Sequence, residues 1–281
     1  NGLLSCFDEK TGKEACKTDL QKSFGARNIQ WGFTESLLIA DDKLIVTPGG
    51  PVSNLVALDP TNGKTIWTSK ALGELSAYCS PQYVLHNNKK IIVTHTANSV
   101  IGMELNSGKL LWSTPKTNTW SVHPNTPLFF DGKIFCSSGY GSESFLLKLS
   151  DDGTKITKEW SNQTLDNQMG GMVYSNGLIF GTGHEKTKTL HAIDAKTGKL
   201  RFSMPEWTRG NCIMADGMIY SYNEKGEVGL IKPSLFAFEL KGKFRVILGS
   251  EAHWAHPVIY NGVLRSEERR VGTECRSRWS P

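Results

Sequence analysis

Asp59-Pro60-Thr61-Asn62-Gly63-Lys64-Thr65-Ile66-Trp67 is the stretch that decides the fold, because the chain repeats it. It returns as Asp8-Glu9-Lys10-Thr11-Gly12-Lys13-Glu14-Ala15-Cys16, as Glu104-Leu105-Asn106-Ser107-Gly108-Lys109-Leu110-Leu111-Trp112 and as Asp194-Ala195-Lys196-Thr197-Gly198-Lys199-Leu200-Arg201-Phe202. Gly63, Gly108, Gly153 and Gly198 stand 45 residues apart, with Gly12 lying 51 before them and Gly242 lying 44 after. A period of roughly 40–50 residues in strand-like text marks an array of small sheets.

A second landmark falls between these turns. Asp41-Asp42, Asp131-Gly132, Asn176-Gly177, Asp216-Gly217 and Asn261-Gly262 each precede a short apolar run, as Lys89-Lys90 precedes Ile91-Ile92-Val93. Asn-Gly and Asp-Gly suit tight hairpins, whose two central residues must accept positive φ. Each unit then holds two hairpins, hence four strands, which is one blade of a β-propeller. The expected fold is all-β, a β-propeller of four-stranded blades with about six blades in view. No long helical periodicity competes with this reading. The glycine of the D-x-x-x-G-K turn (Gly12, Gly63, Gly108, Gly153, Gly198) is expected in the left-handed region after a type I turn. The aromatic that follows (Trp67, Trp112, Trp160, Phe202) is expected early in the outer strand, where it can cover the joint with a neighbouring blade, with Trp67 and Trp112 largely buried next to that blade's glycine turn.

Val56-Ala57-Leu58-Asp59 through Trp67, and Ala192-Ile193-Asp194 through Lys199, closely resemble the tryptophan-docking repeat A-x-D-x-x-T-G-K-x-x-W. That repeat belongs to the pyrroloquinoline-quinone (PQQ)-like β-propellers, the quinoprotein alcohol dehydrogenase-like superfamily. The resemblance spans residues 3 to 264. Trp31 to Ser36, Ser137 to Gly141 and His253 to Ile259 are similar to a bacterial branch of PQQ-binding-like repeat proteins. Cys16 departs from the motif where tryptophan is usual. The resemblance implies seven or eight blades, so residues 1–264 read as a propeller truncated at both ends. It also implies a periplasmic or otherwise extracytoplasmic bacterial protein. In its enzymatic branch it implies PQQ held with calcium, although this chain has no adjacent cysteine pair of the kind many such enzymes place against the cofactor.

Residues 265–281 break the pattern, with no alternation and no turn chemistry. They closely resemble a translated sequencing adapter and are expected to be a non-native tail that joins no sheet. The tail carries five arginines against three glutamates, and so supplies two of the five net positive charges. The remainder is close to neutral, which argues against nucleic acid as a partner. No transmembrane segment is visible. Cys6, Cys16, Cys79, Cys136 and Cys212 show no metal spacing and are expected as buried free thiols.

Chemistry is expected where the chain leads into the innermost strand of each blade, at the mouth of the central channel. Those segments contain Trp31, Glu35, Tyr78, Trp120, His123, Asn125, Gln168, Arg209, Asn211, His253, Trp254 and His256. Such side chains stack on rings and hydrogen-bond polar ligands. Glu35 is the candidate general base, or calcium ligand if PQQ binds. His253 and His256 do not form a metal pair, because residues three apart at a strand entrance do not share a face. Two functions follow. One is a scaffold that binds a protein partner or a small polar ligand at the channel mouth, with no cofactor assigned. The other is a PQQ-dependent dehydrogenase acting on an alcohol or sugar.

Overall fold

The structure is a computed structural model that describes residues 2–247, 249 and 251–266. It divides between Gln168 and Met169 into two compact units. In the first, β1 (Leu3–Phe7) and β2 (Glu14–Asp19) pair antiparallel and lead into a single helical turn, α1 (Leu20–Phe24). Asp19 caps that turn by accepting from the Gln21 and Lys22 amides, and Gly25 ends it at φ +64°. Three four-stranded meanders follow. They are β3 (Leu38–Ala40), β4 (Lys43–Val46), β5 (Leu55–Leu58) and β6 (Thr65–Ser69); β7 (Gln82–His86), β8 (Lys89–His95), β9 (Ser99–Glu104) and β10 (Leu110–Pro115); and β11 (Leu128–Phe130), β12 (Lys133–Cys136), β13 (Ser144–Leu149) and β14 (Ile156–Asn162).

The second unit repeats the design. Its blades are β15 (Val173–Ser175), β16 (Leu178–Thr182), β17 (Thr189–Asp194) and β18 (Leu200–Thr208), then β19 (Gly210–Ala215), β20 (Met218–Asn223), β21 (Glu227–Pro233) and β22 (Phe238–Arg245). A last hairpin joins β23 (Val258–Tyr260) to β24 (Val263–Arg265). Arg265, the first residue of the foreign-looking tail, pairs opposite Val258 in β24, so the expectation that the tail joins no sheet fails at that residue. The expectation that the tail joins no sheet falls, from residue 267 on, outside the described residues.

Both turn expectations hold. Asp131-Gly132 and Asn176-Gly177 carry positive φ at both central positions, the twist that continues smoothly into paired strands. In the outer hairpins the backbone repeats itself bond for bond. The Gly63 amide donates to the Asp59 carbonyl and the Asp59 amide to the Lys64 carbonyl, each at 2.8 Å. The Glu104–Lys109 and Asp194–Lys199 turns make the same two bonds at 2.8–2.9 Å. Gly63, Gly108 and Gly198 sit at φ between +68° and +71°, a region costly for any other residue. The acidic side chain locks the turn, since Asp59 Oδ1 accepts from both the amide and the hydroxyl of Thr61. Gly242 is a correction. It lies inside β22 opposite Leu230, not in a turn; the turn of that blade is Ser234–Ala237.

Blades pack face to face, so their middle strands are buried on both sides. All four residues of β5 and all five of β16 are buried. One core joins Ile45, Leu55 and Ala57 to Ile92, Ile101 and Met103 of the next blade. Trp67 caps that joint as expected. Its six-membered ring lies where a Cβ on Gly108 would be, 2.5 Å away, and its Nε1 donates to the Leu105 carbonyl at 2.9 Å. Trp112 differs. It is buried among Val84, Ile91, Phe145 and Leu147, between two blades, but it lies over Gly102 of its own blade. Gly102 is its strand partner, and a glycine there leaves the space the indole fills. Trp207, outside the motif, makes the cross-blade contact in the second unit. Its ring fills the space above Gly229, and its Nε1 donates to Ser221 Oγ at 2.8 Å.

The cysteine expectation is corrected for one pair. Cys6 and Cys16 face each other across β1 and β2 and form a disulfide. The two positions are directly opposite in an antiparallel ladder, which sequence spacing does not reveal. Cys16 Sγ packs 3.1 Å from where a Cβ on Gly63 would stand. The disulfide thus sits on the next turn glycine, as Trp67 does on Gly108. Replacing both cysteines by alanine is expected to lower stability by roughly 2–3 kcal/mol, the loop-closure value for a ring this short. Urea unfolding of the double variant measures it. Cys79, Cys136 and Cys212 are free and buried, as expected. Burial pushes their thiols up, to about 12 for Cys79 and about 11 for Cys212.

Candidate functional site

Consecutive blades bring their first strands together. Within the first unit β3 contacts β7 and β7 contacts β11; within the second β15 contacts β19. The loops leading into these strands carry the candidate residues, and the structure sorts them into two groups.

The first group is buried and ties loops together. Glu35 accepts from the Thr47 amide at 2.9 Å and from the Thr47 hydroxyl. Part of the residue's surface is open, but its carboxyl is enclosed by protein, and burial pushes its pKa up to about 7 against the Thr47 hydrogen bonds. Asn125 spans two segments, donating to the carbonyls of Ser137 at 3.2 Å and Asn167 at 2.5 Å. His123 is fully buried, with Nε2 3.1 Å from the Ala97 carbonyl. It stacks on His95 with centroids 5.3 Å apart. Burial first, with the nearby Lys116 charge acting in the same direction, holds His123 down at about 4. Gln168 Nε2 donates to the Tyr140 hydroxyl at 2.8 Å, and its stem rests on Gly139, where a Cβ would be 2.6 Å away. In the second unit Asn211 donates to the carbonyls of Trp254 and Ala255 at 3.2 and 3.1 Å. Arg209 pairs with Glu224, and the His253 amide donates to the Glu224 carbonyl at 3.0 Å. His253 Nδ1 lies 2.7 Å from the Tyr222 hydroxyl. His256 Nδ1 lies 3.0 Å from the Pro257 carbonyl, and burial lowers its pKa.

The second group faces solvent. Trp31 is 55% exposed, and Trp120 and Trp254 are each 62% exposed. Trp31 leans on Tyr78, ring centroids 5.6 Å apart at 54°. Tyr78 is held at φ +69°, a strained conformation for a bulky residue. Tyr78 also lines a small pocket together with Gly32, Phe33, Glu35, Thr47 and Ser76.

Sequence reasoning missed Thr47 and Ser76. A signal existed for the first: Thr47, Ser137 and Thr182 each stand six residues after the opening residue of their hairpin turn. Ser137 Oγ donates to the Leu165 carbonyl and Thr182 Oγ1 to the Gly210 carbonyl, at 3.0 and 2.9 Å. Ser137 and Thr182 thus present a hydroxyl to the chain beyond their own blade, whereas Thr47 gives its hydroxyl to Glu35, in the lead-in of its own blade. Among the described residues no three His, Cys, Asp or Glu side chains gather as a metal site.

Four-stranded blades, the D-x-x-x-G-K turn and its docked tryptophan define a PQQ-like β-propeller protein. A family model described as outer membrane protein assembly factor BamB matches residues 1–132. The crystal structure of BamB from Moraxella catarrhalis superposes with a TM-score of 0.68 at 14% identity, covering 95% of this chain and 76% of that one. A europium-containing methanol dehydrogenase superposes at 0.56 and 14% identity, covering 74% and 50%. Uncharacterized protein RP232 of Rickettsia prowazekii (strain Madrid E) is 23% identical over 211 residues, 71% of this chain and 46% of that protein. The chain thus spans about half the length of that relative. Its fold is that of the PQQ-like β-propellers, and the family model matches its first 132 residues.

Proposed function

We propose that this chain is a protein-binding scaffold of a bacterial envelope, working outside the cytoplasm. The observation that carries the reading is the split among the lead-in residues. Their polar side chains bridge neighbouring loops, and three tryptophans, Trp31, Trp120 and Trp254, stand in solvent. Exposed tryptophans on loops fixed from below are the residues that anchor protein interfaces. The Cys6–Cys16 disulfide fits an oxidising compartment. Likeness to the family of an outer-membrane assembly factor points the same way. No helix among the described residues is long and apolar enough to cross a membrane.

The quinoprotein reading fits the residues less well. Both oxygens of Glu35 accept from Thr47, and the Asn125 amide is engaged by two carbonyls. The Glu35 carboxylate is thus committed within the protein, the Asn125 Oδ1 that could face a cation is buried, and among the described residues no cluster of acidic side chains gathers beside them, a poor fit to a calcium-held quinone.

The test is a photo-reactive residue at position 120 or 254 of the full-length protein in living cells, with calorimetry against PQQ and calcium alongside. A discrete protein adduct at either position, with no heat from the quinone, is the expected result. No adduct at both, with tight quinone binding lost in Trp120→Ala, overturns the scaffold reading in favour of the dehydrogenase.

A further inference from the structure

We propose that Cys6–Cys16 is a site of thiol–disulfide exchange, and that its reduction by a dithiol releases the β1–β2 hairpin from the blade beside it. The site is independent of what the three exposed tryptophans bind. Three observations carry the proposal.

The first is position. Four residues past the turn glycine, other blades carry Trp67, Trp112 or Phe202. The residues opposite them are Ala57, Gly102 and Ala192. In the β1–β2 hairpin both members of that pair differ together. Cys16 stands at the aromatic position, Cys6 stands opposite it, and the two are bonded. Cys16 Sγ and Thr18 Oγ1 lie 3.1 and 3.5 Å from where a Cβ on Gly63 would be. The disulfide therefore takes the place of the docked ring. Two separate thiols fill less space than an indole and are free to rotate apart, so this dock depends on the bond between them.

The second is how little else holds the hairpin. Within residues 3–19 the one buried side chain is Leu4, while Leu3 and Phe7 are mostly in solvent. β1 and β2 form a sheet of two strands, an arrangement that is marginal alone. The bonds of the Asp8–Lys13 turn and of Ser5 to Glu14 lie inside the hairpin and travel with it. One backbone bond, from the Leu20 amide to the Gly2 carbonyl at 2.8 Å, ties its base. Beyond Asp19 the anchoring is stronger, because Leu20 and Phe24 are buried with Leu44, Val56 and Leu58. Release thus stops at α1 and leaves the core of the blade covered.

The third is access. Cys6 and Cys16 each keep part of their surface in solvent, whereas Cys79, Cys136 and Cys212 are buried. Attack by a thiolate needs that access. One thiolate of the dithiol bonds to one sulfur of the pair, and the other cysteine leaves as a thiolate and takes up a proton. The second thiol then closes the reductant's own disulfide and expels the first cysteine in the same way. Two electrons pass to the protein, and the dithiol ends as a disulfide.

The experiment is hydrogen–deuterium exchange of the full chain, read by peptide mass before and after dithiothreitol. Without denaturant, dithiothreitol is expected to add about two mass units to the Cys6–Cys16 pair. The amides of β1 and β2 should then exchange more than about tenfold faster, while β4 and β5 keep their rates. Cys6→Ala combined with Cys16→Trp rebuilds the Ala57–Trp67 pair, and is expected to keep the hairpin protected with or without dithiothreitol. A pair that reduces only in denaturant overturns the exchange site. A reduced hairpin that exchanges at its oxidised rate, or β4 and β5 loosening along with it, overturns the release. Faster hairpin exchange in the Ala–Trp protein when dithiothreitol is added would show that some other bond responds, and overturns it equally.

Discussion

Trp207→Ala is expected to lower the unfolding free energy by about 3–5 kcal/mol, the range for deleting a buried aromatic. Trp207 is 2% exposed and is among the largest fully buried side chains of the protein. Three losses combine. The indole leaves Leu190, Met204, Cys212 and Ile231 around a void. Gly229 has no side chain with which to fill it, since the indole atoms lie 2.6–3.1 Å from where its Cβ would be. Ser221 Oγ loses its donor inside a buried site. Trp67→Ala is expected to cost less, because that ring keeps part of its surface in solvent. Urea unfolding followed by tyrosine fluorescence and circular dichroism gives both values. A Trp207→Ala loss under about 1 kcal/mol would show that the blades close the gap unaided.

A dependence of stability on pH centred on Glu35 is the second large effect. Its folded pKa, about 7, lies above the ordinary glutamate value of 4.5. The folded protein therefore holds this proton more tightly than the unfolded chain does. The resulting stabilisation is full below about pH 4.5 and is lost as pH rises through 7. Each pH unit between the folded and unfolded pKa is worth about 1.4 kcal/mol, so the loss between pH 4.5 and pH 8 is at most about 3 kcal/mol. Glu35→Gln keeps one acceptor oxygen for the Thr47 amide, turns an NH2 donor toward the Thr47 hydroxyl, and cannot ionise. It should remove this slope and exceed the wild type in stability at pH 8. Denaturant midpoints of both proteins at pH 5 and pH 8 check the result; parallel curves would place the Glu35 carboxyl in water.

The D-x-x-x-G-K turn determines its own conformation, because Asp59, Thr61 and Gly63 interact within five residues of chain. Its recurrence and the D/N-G hairpins made the blades legible, and with them the family resemblance. The fold class needed nothing beyond these local rules. Where each residue points across a joint was not local. Trp112 and Trp67 share one motif position, yet one covers its own strand and the other the next blade, because Gly102 lies opposite Trp112 whereas Ala57 lies opposite Trp67. Gly242-Lys243 reads like a turn and runs through a strand, because the actual turn formed at Ser234–Ala237. Cys6 and Cys16 became partners through strand register, which two isolated cysteines in a sequence do not display. The lead-in loops were found by counting back from their hairpins. Which of their residues are exposed and which are engaged was decided by the hydroxyls and carbonyls that tertiary packing brought beside them: Thr47 to Glu35, Asn167 to Asn125, Trp254 to Asn211. The sequence by itself determined the blade, since short-range turn chemistry builds it. Only the tertiary structure decided the site, since burial and long-range hydrogen bonds set both the charge on Glu35 and the exposure of Trp31.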